Sequence, residues 1–196
     1  MLTRILFSLC QFIKYRQKLK SYLYDKNNNS SSIENINAMQ LYIKGIRALV
    51  IDFDGVLAAH SKIEPTDSAK QWLLESSRIF GKGRLFILSN NPFLLRSEYF
   101  SKHFPEICFV HARKKKPYPD AILDIIYQIK LQPVQILLID DRLSVGILAA
   151  VIADVQACFI SKPKVDFTFN LFSEFFLSCL RKVEQIWLKK WYVKKR

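Results

Sequence analysis

Five short apolar segments alternate with helix-type segments along residues 44–165. The apolar segments lie at 46–52 (IRALVID), 84–89 (RLFILS), 107–111 (ICFVH), 135–140 (QILLID) and 157–160 (ACFI). Stretches with helical spacing separate them, at 66–79, 92–102, 118–130 and 143–153. Near-continuous apolar runs are typical of parallel strands that are buried on both faces. The alternation therefore predicts an α/β fold with a doubly wound, Rossmann-like parallel sheet of about five strands.

The first apolar segment ends in two carboxylates, Asp52 and Asp54, followed by Gly55. Residues i and i+2 of a strand point to the same side, so these two negative charges lie close together and repel. A cation or a proton between them makes such an arrangement tolerable. Mg²⁺ prefers carboxylate and phosphate oxygens. One carboxylate would then be free to act as a nucleophile while the other transfers a proton.

Three further segments end in polar groups. Ser89 and Asn90 follow the second strand, a lysine run that ends at Lys116 precedes Pro117, and Asp140 and Asp141 end the fourth strand. Ligands of open α/β sheets bind beyond the carboxyl ends of the strands, so we expect these groups to converge. Asp, Asn and Ser also favour ordinary turns, which is the alternative explanation. The ordered set of four argues against coincidence.

This ordered set resembles the motifs of the haloacid dehalogenase superfamily of aspartate-nucleophile phosphatases, over roughly residues 45–162. The resemblance implies that Asp52, in IDFDGVL, is the nucleophile that forms an aspartyl-phosphate. Asp54 would be the general acid and base, with its backbone carbonyl on Mg²⁺. Ser89, with help from Asn90, would bind the phosphoryl group.

The last two motifs of that family match less completely. Lys116 matches the lysine of the third motif, and Asp141 matches the metal-binding acid of the fourth. Asp140 occupies a place where the family usually has glycine. The family's second acid, a few residues later, falls on Val145 or Gly146, neither of which binds a metal through its side chain. Asp140 is adjacent and is a candidate to compensate, so the metal ligands implied are Asp52, Asp54, Asp141 and Asp140.

The spacing of the motifs leaves no room for a cap domain, because one helix with its loops fills each interval. The site is therefore expected to be open, as in the capless subclass III of the superfamily. The SNN, K-P and D-R-L stretches resemble its YqeG-like branch, which includes mitochondrial-type phosphatidylglycerophosphate phosphatases. That resemblance implies an anionic phospholipid with a phosphomonoester as the substrate.

The net charge of +13 over 196 residues indicates an anionic partner, which is nucleic acid, an anionic membrane surface or a phosphorylated substrate. The four cysteines form no C-x-x-C pair, which favours reduced thiols and no zinc site. The longest early uncharged run, 5–13, is too short to span a bilayer, and no small-residue cleavage site follows it. We expect a cytoplasmic or mitochondrial-matrix-like location, peripheral to a membrane, and no secretion.

Residues 1–24 are predicted to form an amphipathic, basic helix. Apolar residues recur at helical spacing among five basic ones, and no acid precedes Asp25. This pattern is typical of a membrane-surface helix and of an organelle-targeting presequence, and it also suits a helix that covers the domain's own core. Residues 25–34, which begin DKNNNSSS, are predicted to be a flexible linker.

Residues 166–196 are predicted to form a basic helix that contains Trp187 and Trp191. Indole rings beside lysines suit the headgroup zone of a membrane, a nucleic-acid strand, or a solvated helix docked on the core. Three functions remain open at this point. They are a Mg²⁺-dependent phosphatase acting on phosphatidylglycerophosphate, a phosphatase acting on a nucleic-acid end or phosphoprotein, and a non-catalytic phosphatase-like binding module.

Overall fold

The apolar segments form one parallel sheet in the computed structural model, which describes residues 2–168 and 171–190. The strands are β1 (Asn29–Ser30), β2 (Ala48–Ile51), β3 (Leu85–Ile87), β4 (Cys108–Phe109), β5 (Ile136–Asp140) and β6 (Gln156–Ile160). They lie in the order β1-β6-β5-β2-β3-β4, and every pairing between neighbours is parallel. The predicted α/β fold with a parallel sheet is confirmed.

Both faces of the sheet are covered by apolar side chains. Ala48 and Val50 of β2 belong to the cluster on one face, and Leu49 and Ile51 belong to the cluster on the other. Successive side chains of a strand point to opposite faces, so a strand buried on both sides needs an apolar residue at every position. This requirement explains the unbroken apolar runs in the sequence.

Helices supply the partners for both faces. They are α1 (Leu2–Lys14), α2 (Arg16–Tyr24), α3 (Ala38–Ile43), α4 (Asp67–Phe80), α5 (Leu94–His103), α6 (Asp120–Ile129), α7 (Leu148–Ile152) and α8 (Leu171–Lys190). Helix α4 buries Trp72 against the cluster of Leu49, and α6 buries Ile122 against the cluster of Val50. A π-helical turn, Leu143–Ile147, leads into α7.

The amino-terminal segment is divided into two helices at Tyr15, where the sequence pattern predicted one continuous helix. Phe12 of α1 and Leu19 and Tyr22 of α2 are buried in the core. The segment therefore packs on the domain through one side, while five apolar residues of α1 stay exposed, namely Leu2, Ile5, Leu6, Leu9 and Ile13.

Residues 25–34, predicted to be a flexible linker, contain β1 and the fully buried Ile33 in the structure. Backbone groups build this edge strand, because the N–H of Phe159 donates to the carbonyl of Asn28 at 2.9 Å and the N–H of Ser161 donates to the carbonyl of Ser30 at 2.8 Å. Polar side chains are compatible with such pairing. The segment adds a sixth strand that gives no apolar signal in the sequence.

Short connections join the central strands of the sheet. Helix α4 connects β2 to β3, and α5 connects β3 to β4. Across the described ranges, no helix combines the length and the apolar character needed to cross a membrane.

Candidate active site

Three carboxylates converge where β2 and β5 end. Ile51 pairs with Ile139 in the register of these two strands, so Asp52 and Asp140 emerge at the same level. Asp52, Asp140 and Asp141 each place one carboxylate oxygen within 4.8 Å of the other two, and all three residues are buried. A buried cluster of this kind is able to hold a metal ion.

Lys116 lies among these carboxylates. Its Nζ is 2.8 Å from Asp52 Oδ1 and 2.5 Å from Asp140 Oδ2, and its side chain is 3% exposed. Burial by itself lowers the pKa of a lysine, but the charges of Asp140 and Asp52 outweigh burial and raise the pKa of Lys116 above its usual value. The lysine therefore stays charged and holds the two strand ends together.

Asn90 fixes the backbone of Lys116. The N–H of Lys116 donates to Asn90 Oδ1 at 2.7 Å, and Asn90 Nδ2 donates to the Lys116 carbonyl at 3.2 Å. The resemblance implied that Asn90 helps to bind the phosphoryl group, whereas both polar atoms of its side chain contact Lys116 here. Ser89 is buried next to it and donates from Oγ to Asp54 Oδ2 at 3.3 Å.

Asp140 and Asp141 differ in the oxygens that they leave available. Asp140 accepts from Lys116 through Oδ2 and from the N–H of Arg142 through Oδ1 at 2.9 Å. Asp141 Oδ2 accepts from Arg181 Nε at 2.5 Å, while Asp141 Oδ1 is buried without a hydrogen-bond partner among the described residues. Asp141 thus keeps an oxygen for a cation, and Asp140 serves as the anchor of Lys116.

Asp54 is held by Arg96 and is separate from the carboxylate cluster. Arg96 Nη2 donates to Asp54 Oδ1 at 2.7 Å and Nη1 donates to Oδ2 at 3.0 Å. Arg96 Nε donates to the carbonyl of Lys62 at 2.8 Å, and the guanidinium lies 4.0 Å from the ring centre of Phe53. The arginine side chain is fully buried. This bidentate pair fixes the orientation of the Asp54 carboxylate.

Helix α8 crosses this edge of the sheet with charged side chains facing inward. Glu174 accepts from the N–H of His60 at 2.8 Å, Arg181 reaches the cluster, and Glu184 accepts from Arg142 Nε at 2.9 Å. Its exposed residues include Lys182, Lys189 and Lys190 and the apolar Leu171, Phe172, Phe175, Phe176, Val183 and Ile186.

Four charged residues of the site were not predicted from the sequence, namely Arg96, Glu174, Arg181 and Glu184. One signal existed for Arg96, since it lies four residues before Phe100 and both are fully buried on the same side of α5. A charged residue on the apolar side of a helix indicates a specific partner. In α8 the buried charged residues share the helix with many apolar ones, so no such signal singled them out.

The electrostatics of the cluster favour an added cation. Burial raises the pKa of Asp52 well above its usual value, and Asp140, Asp141 and Asp54 raise it further against the opposing effect of Lys116. Burial also raises the pKa of Asp141 to about 6, although Arg181 opposes it. The oxygen donor set and the unpartnered Asp141 Oδ1 fit Mg²⁺ held by Asp52 and Asp141. Such an ion would neutralise charge on phosphoryl oxygens.

We expect Mg²⁺ to raise the thermal unfolding midpoint at pH 7.5 and to do so much less at pH 5. An acid whose pKa is raised by folding makes stability fall as pH rises from its unfolded value, near 4, to its folded value. Bound Mg²⁺ offsets this loss of stability, but it binds only after the carboxyl group has lost its proton. With the pKa of Asp141 at about 6, its proton alone weakens Mg²⁺ affinity about tenfold at pH 5. Equal midpoint shifts at both pH values, measured against K⁺ at matched ionic strength, would contradict this site.

Gly55→Ala is expected to destabilise the protein more than Gly81→Ala. Both glycines have positive φ, at +86° and +85°, so both substitutions carry a backbone cost of about 1–3 kcal/mol. A Cβ at Gly55 would lie 2.7 Å from Cγ of Asp141, whereas a Cβ at Gly81 meets nothing within 4 Å. The crowding adds about 1–3 kcal/mol. Urea denaturation of the two variants measures the difference in unfolding free energy. Equal losses would show that Asp141 moves away from the added Cβ without cost.

Comparisons with known proteins leave the function open. No protein-family model and no curated protein matches the chain. A solved structure of an uncharacterized protein from Listeria monocytogenes serotype 4b has a TM-score of 0.48 and 13% identity, covering 62% of this chain and 83% of that one. One from Corynebacterium glutamicum has a TM-score of 0.43 and 20% identity, covering 70% and 96%. Likeness at this level carries no functional information.

Proposed function

We propose that this chain is a Mg²⁺-dependent phosphomonoester hydrolase of the haloacid dehalogenase type, with Asp52 as the nucleophile. The observation that carries the proposal is the setting of Asp52. Lys116 contacts its Oδ1 at 2.8 Å, which leaves Oδ2 to attack phosphorus. Asp141 offers a free oxygen within the same cluster. The proximity of Asp52, Lys116 and Asp141 supports the proposal.

The proposed reaction breaks the phosphoester bond of the substrate and forms, then hydrolyses, an acyl-phosphate bond on Asp52. Asp52 Oδ2 attacks phosphorus, and the bond from phosphorus to the substrate alkoxide breaks. Asp54, when protonated, gives its proton to that alkoxide and then accepts one from the water that attacks the aspartyl-phosphate. Inorganic phosphate leaves and Asp52 is restored. Arg96 orients Asp54 for both transfers, and Lys116 stabilises negative charge on the phosphoryl oxygens.

Exposed apolar surfaces support a substrate that is presented by an anionic bilayer. The exposed side chains of α1 are Leu2, Ile5, Leu6, Leu9 and Ile13. Trp187 of α8 packs against Phe12 of α1, with 5.3 Å between ring centres, so the two helices lie together. Trp191, the other predicted interface residue, lies outside the described residues. We propose phosphatidylglycerophosphate as the substrate and phosphatidylglycerol as the product, with the protein bound peripherally to the membrane.

Vesicle binding tests the membrane part of the proposal. Leu6→Gln with Leu9→Gln is expected to weaken binding to phosphatidylglycerol vesicles by roughly tenfold or more, because each leucine loses about 1.5 kcal/mol of apolar burial. Both side chains are exposed, so folding should not change. Leu74→Gln with Leu123→Gln, at similarly exposed leucines on α4 and α6, is the control. Equal binding by both pairs in a sedimentation assay would count against docking through α1.

Phosphate release with Mg²⁺ tests the chemistry. The substrates are phosphatidylglycerophosphate in mixed micelles, p-nitrophenyl phosphate, and a 5′-phosphorylated oligonucleotide. Release from the lipid supports the whole proposal. Release from only the small ester or the oligonucleotide keeps the phosphatase chemistry and overturns the lipid substrate. Absence of release from all three, with no Mg²⁺ binding, overturns catalysis and favours a phosphatase-like binding module.

A further inference from the structure

Helix α8 buries charge where an ordinary surface helix buries apolar side chains. Glu174, Arg181 and Glu184 face the body of the protein, while Phe172 and Phe175 face outward. Burying an ion is costly unless it is paired and hydrogen-bonded. Glu184 satisfies this condition through Arg142 and Ser144. Arg181 satisfies it only in part, which indicates that its remaining donors have another use.

The guanidinium of Arg181 lies between the two strand ends that form the site. Its Nε donates to Asp141 Oδ2, after β5, at 2.5 Å. A Cβ at Gly55, in the loop after β2, would lie 2.9 Å from Arg181 Nη2. Arg181 is 6% exposed, and its Nη1 is buried without a hydrogen-bond partner among the described residues. Native proteins rarely leave a buried charged donor unsatisfied.

Two complementary groups are thus unsatisfied side by side. Within the described ranges, Asp141 Oδ1 has no donor and Arg181 Nη1 has no acceptor. A phosphoryl group that accompanies Mg²⁺ would satisfy both, since the ion suits the carboxylate and a phosphoryl oxygen suits the guanidinium. Without Arg181, Mg²⁺ and Lys116 only balance the three carboxylates of the cluster. With Arg181, the site carries one excess positive charge, which offsets part of the charge of a phosphate dianion.

We propose that Arg181, supplied by helix α8, is a phosphate-binding residue of this site and that Asp141 holds its guanidinium in place. The inference rests on the proposed function and assigns to the carboxy-terminal helix a part of the active site that none of the strand-end motifs contains. Asp141 then contacts both the metal and the arginine. Mg²⁺ and Arg181 consequently compete for Asp141 while they cooperate in binding phosphate.

Opposite changes in two affinities test this role. Isothermal titration calorimetry would measure Mg²⁺ binding alone and inorganic phosphate binding at saturating Mg²⁺, for the whole chain and its variants. Arg181→Met is expected to weaken phosphate binding at least tenfold and to tighten Mg²⁺ binding, because Asp141 loses a competing cation. Arg181→Lys, which keeps the charge but not the planar donors, should lie between. Lys182→Met, at the exposed neighbouring position, should change neither affinity.

Each other result overturns a defined part of the argument. If the unmodified chain binds neither Mg²⁺ nor phosphate, the proposed function itself fails. If it binds both and Arg181→Met binds phosphate equally well, Arg181 does not bind phosphate. If Arg181→Met and Arg181→Lys both lose Mg²⁺ and phosphate together, Arg181 only holds α8 against the sheet.

Discussion

Asp52→Asn should reduce phosphate release by at least about 10³-fold while the protein stays folded. The substitution removes the nucleophilic oxygen anion at nearly constant shape, so the aspartyl-phosphate cannot form. Because burial raises the pKa of Asp52, its charge is a cost to the folded state. A neutral amide relieves that cost, although Lys116 then pairs with Asp140 alone. We therefore expect unchanged or higher resistance to urea alongside the loss of turnover.

Asp124→Asn is the matched control, since Asp124 is an exposed aspartate of α6 and belongs to none of the strand-end motifs. Initial rates of phosphate release at saturating Mg²⁺ should match the unmodified chain. Turnover by Asp52→Asn within tenfold of that rate would remove Asp52 from the role of nucleophile. A parallel loss in both variants would trace the effect to a general property of the preparation.

The strands were predictable because the physics that builds them is local. A strand buried on both faces must be apolar throughout, and the segment around Leu49, Val50 and Ile51 has this pattern. The convergence of Asp52 and Asp140 followed from one topological rule, since parallel neighbours present their carboxyl ends together. Lys116 needed the family resemblance, because a run of lysines is ordinarily solvated. In the structure it alone of Lys114, Lys115 and Lys116 is buried.

The remaining site residues depend on contacts that no local pattern encodes. Arg181 meets Asp141 across 40 positions of sequence, and Arg96 meets Asp54 across 42. The orientation of α8 depends on buried partners for its charged side chains, together with burial of Leu188 in the core. Strand β1 was not predicted for a related reason, since pairing through backbone groups does not require apolar side chains. Local periodicity therefore located the sheet but not the residues that close its carboxyl edge.

Lys116→Met should destabilise the protein by about 3–5 kcal/mol, as expected when one partner of a buried ion network is removed. Methionine fills similar space, so the loss is electrostatic. Asp52 and Asp140 would face each other without the cation that separates them. Because folding raises the pKa of Lys116, its stabilising effect is fully present below its unfolded pKa, near 10.4, and disappears only as pH rises through the higher folded value. Urea denaturation at pH 7.5 measures the loss, and phosphate release should disappear as well.

Two further variants, Lys115→Met and a double variant with Asp140→Asn, distinguish this electrostatic effect from disruption of the loop that carries Lys116. Lys115→Met removes an exposed lysine next to it and should cost less than about 0.5 kcal/mol. Asp140→Asn, added to Lys116→Met, removes one of the two opposed carboxylates and should recover at least about 1 kcal/mol through their coupling. Strictly additive losses in the double variant would mean that Lys116 contributes packing rather than charge. The buried lysine would then be a structural part of the strand connection, and charge stabilisation at the phosphoryl group would have to come from elsewhere in the site.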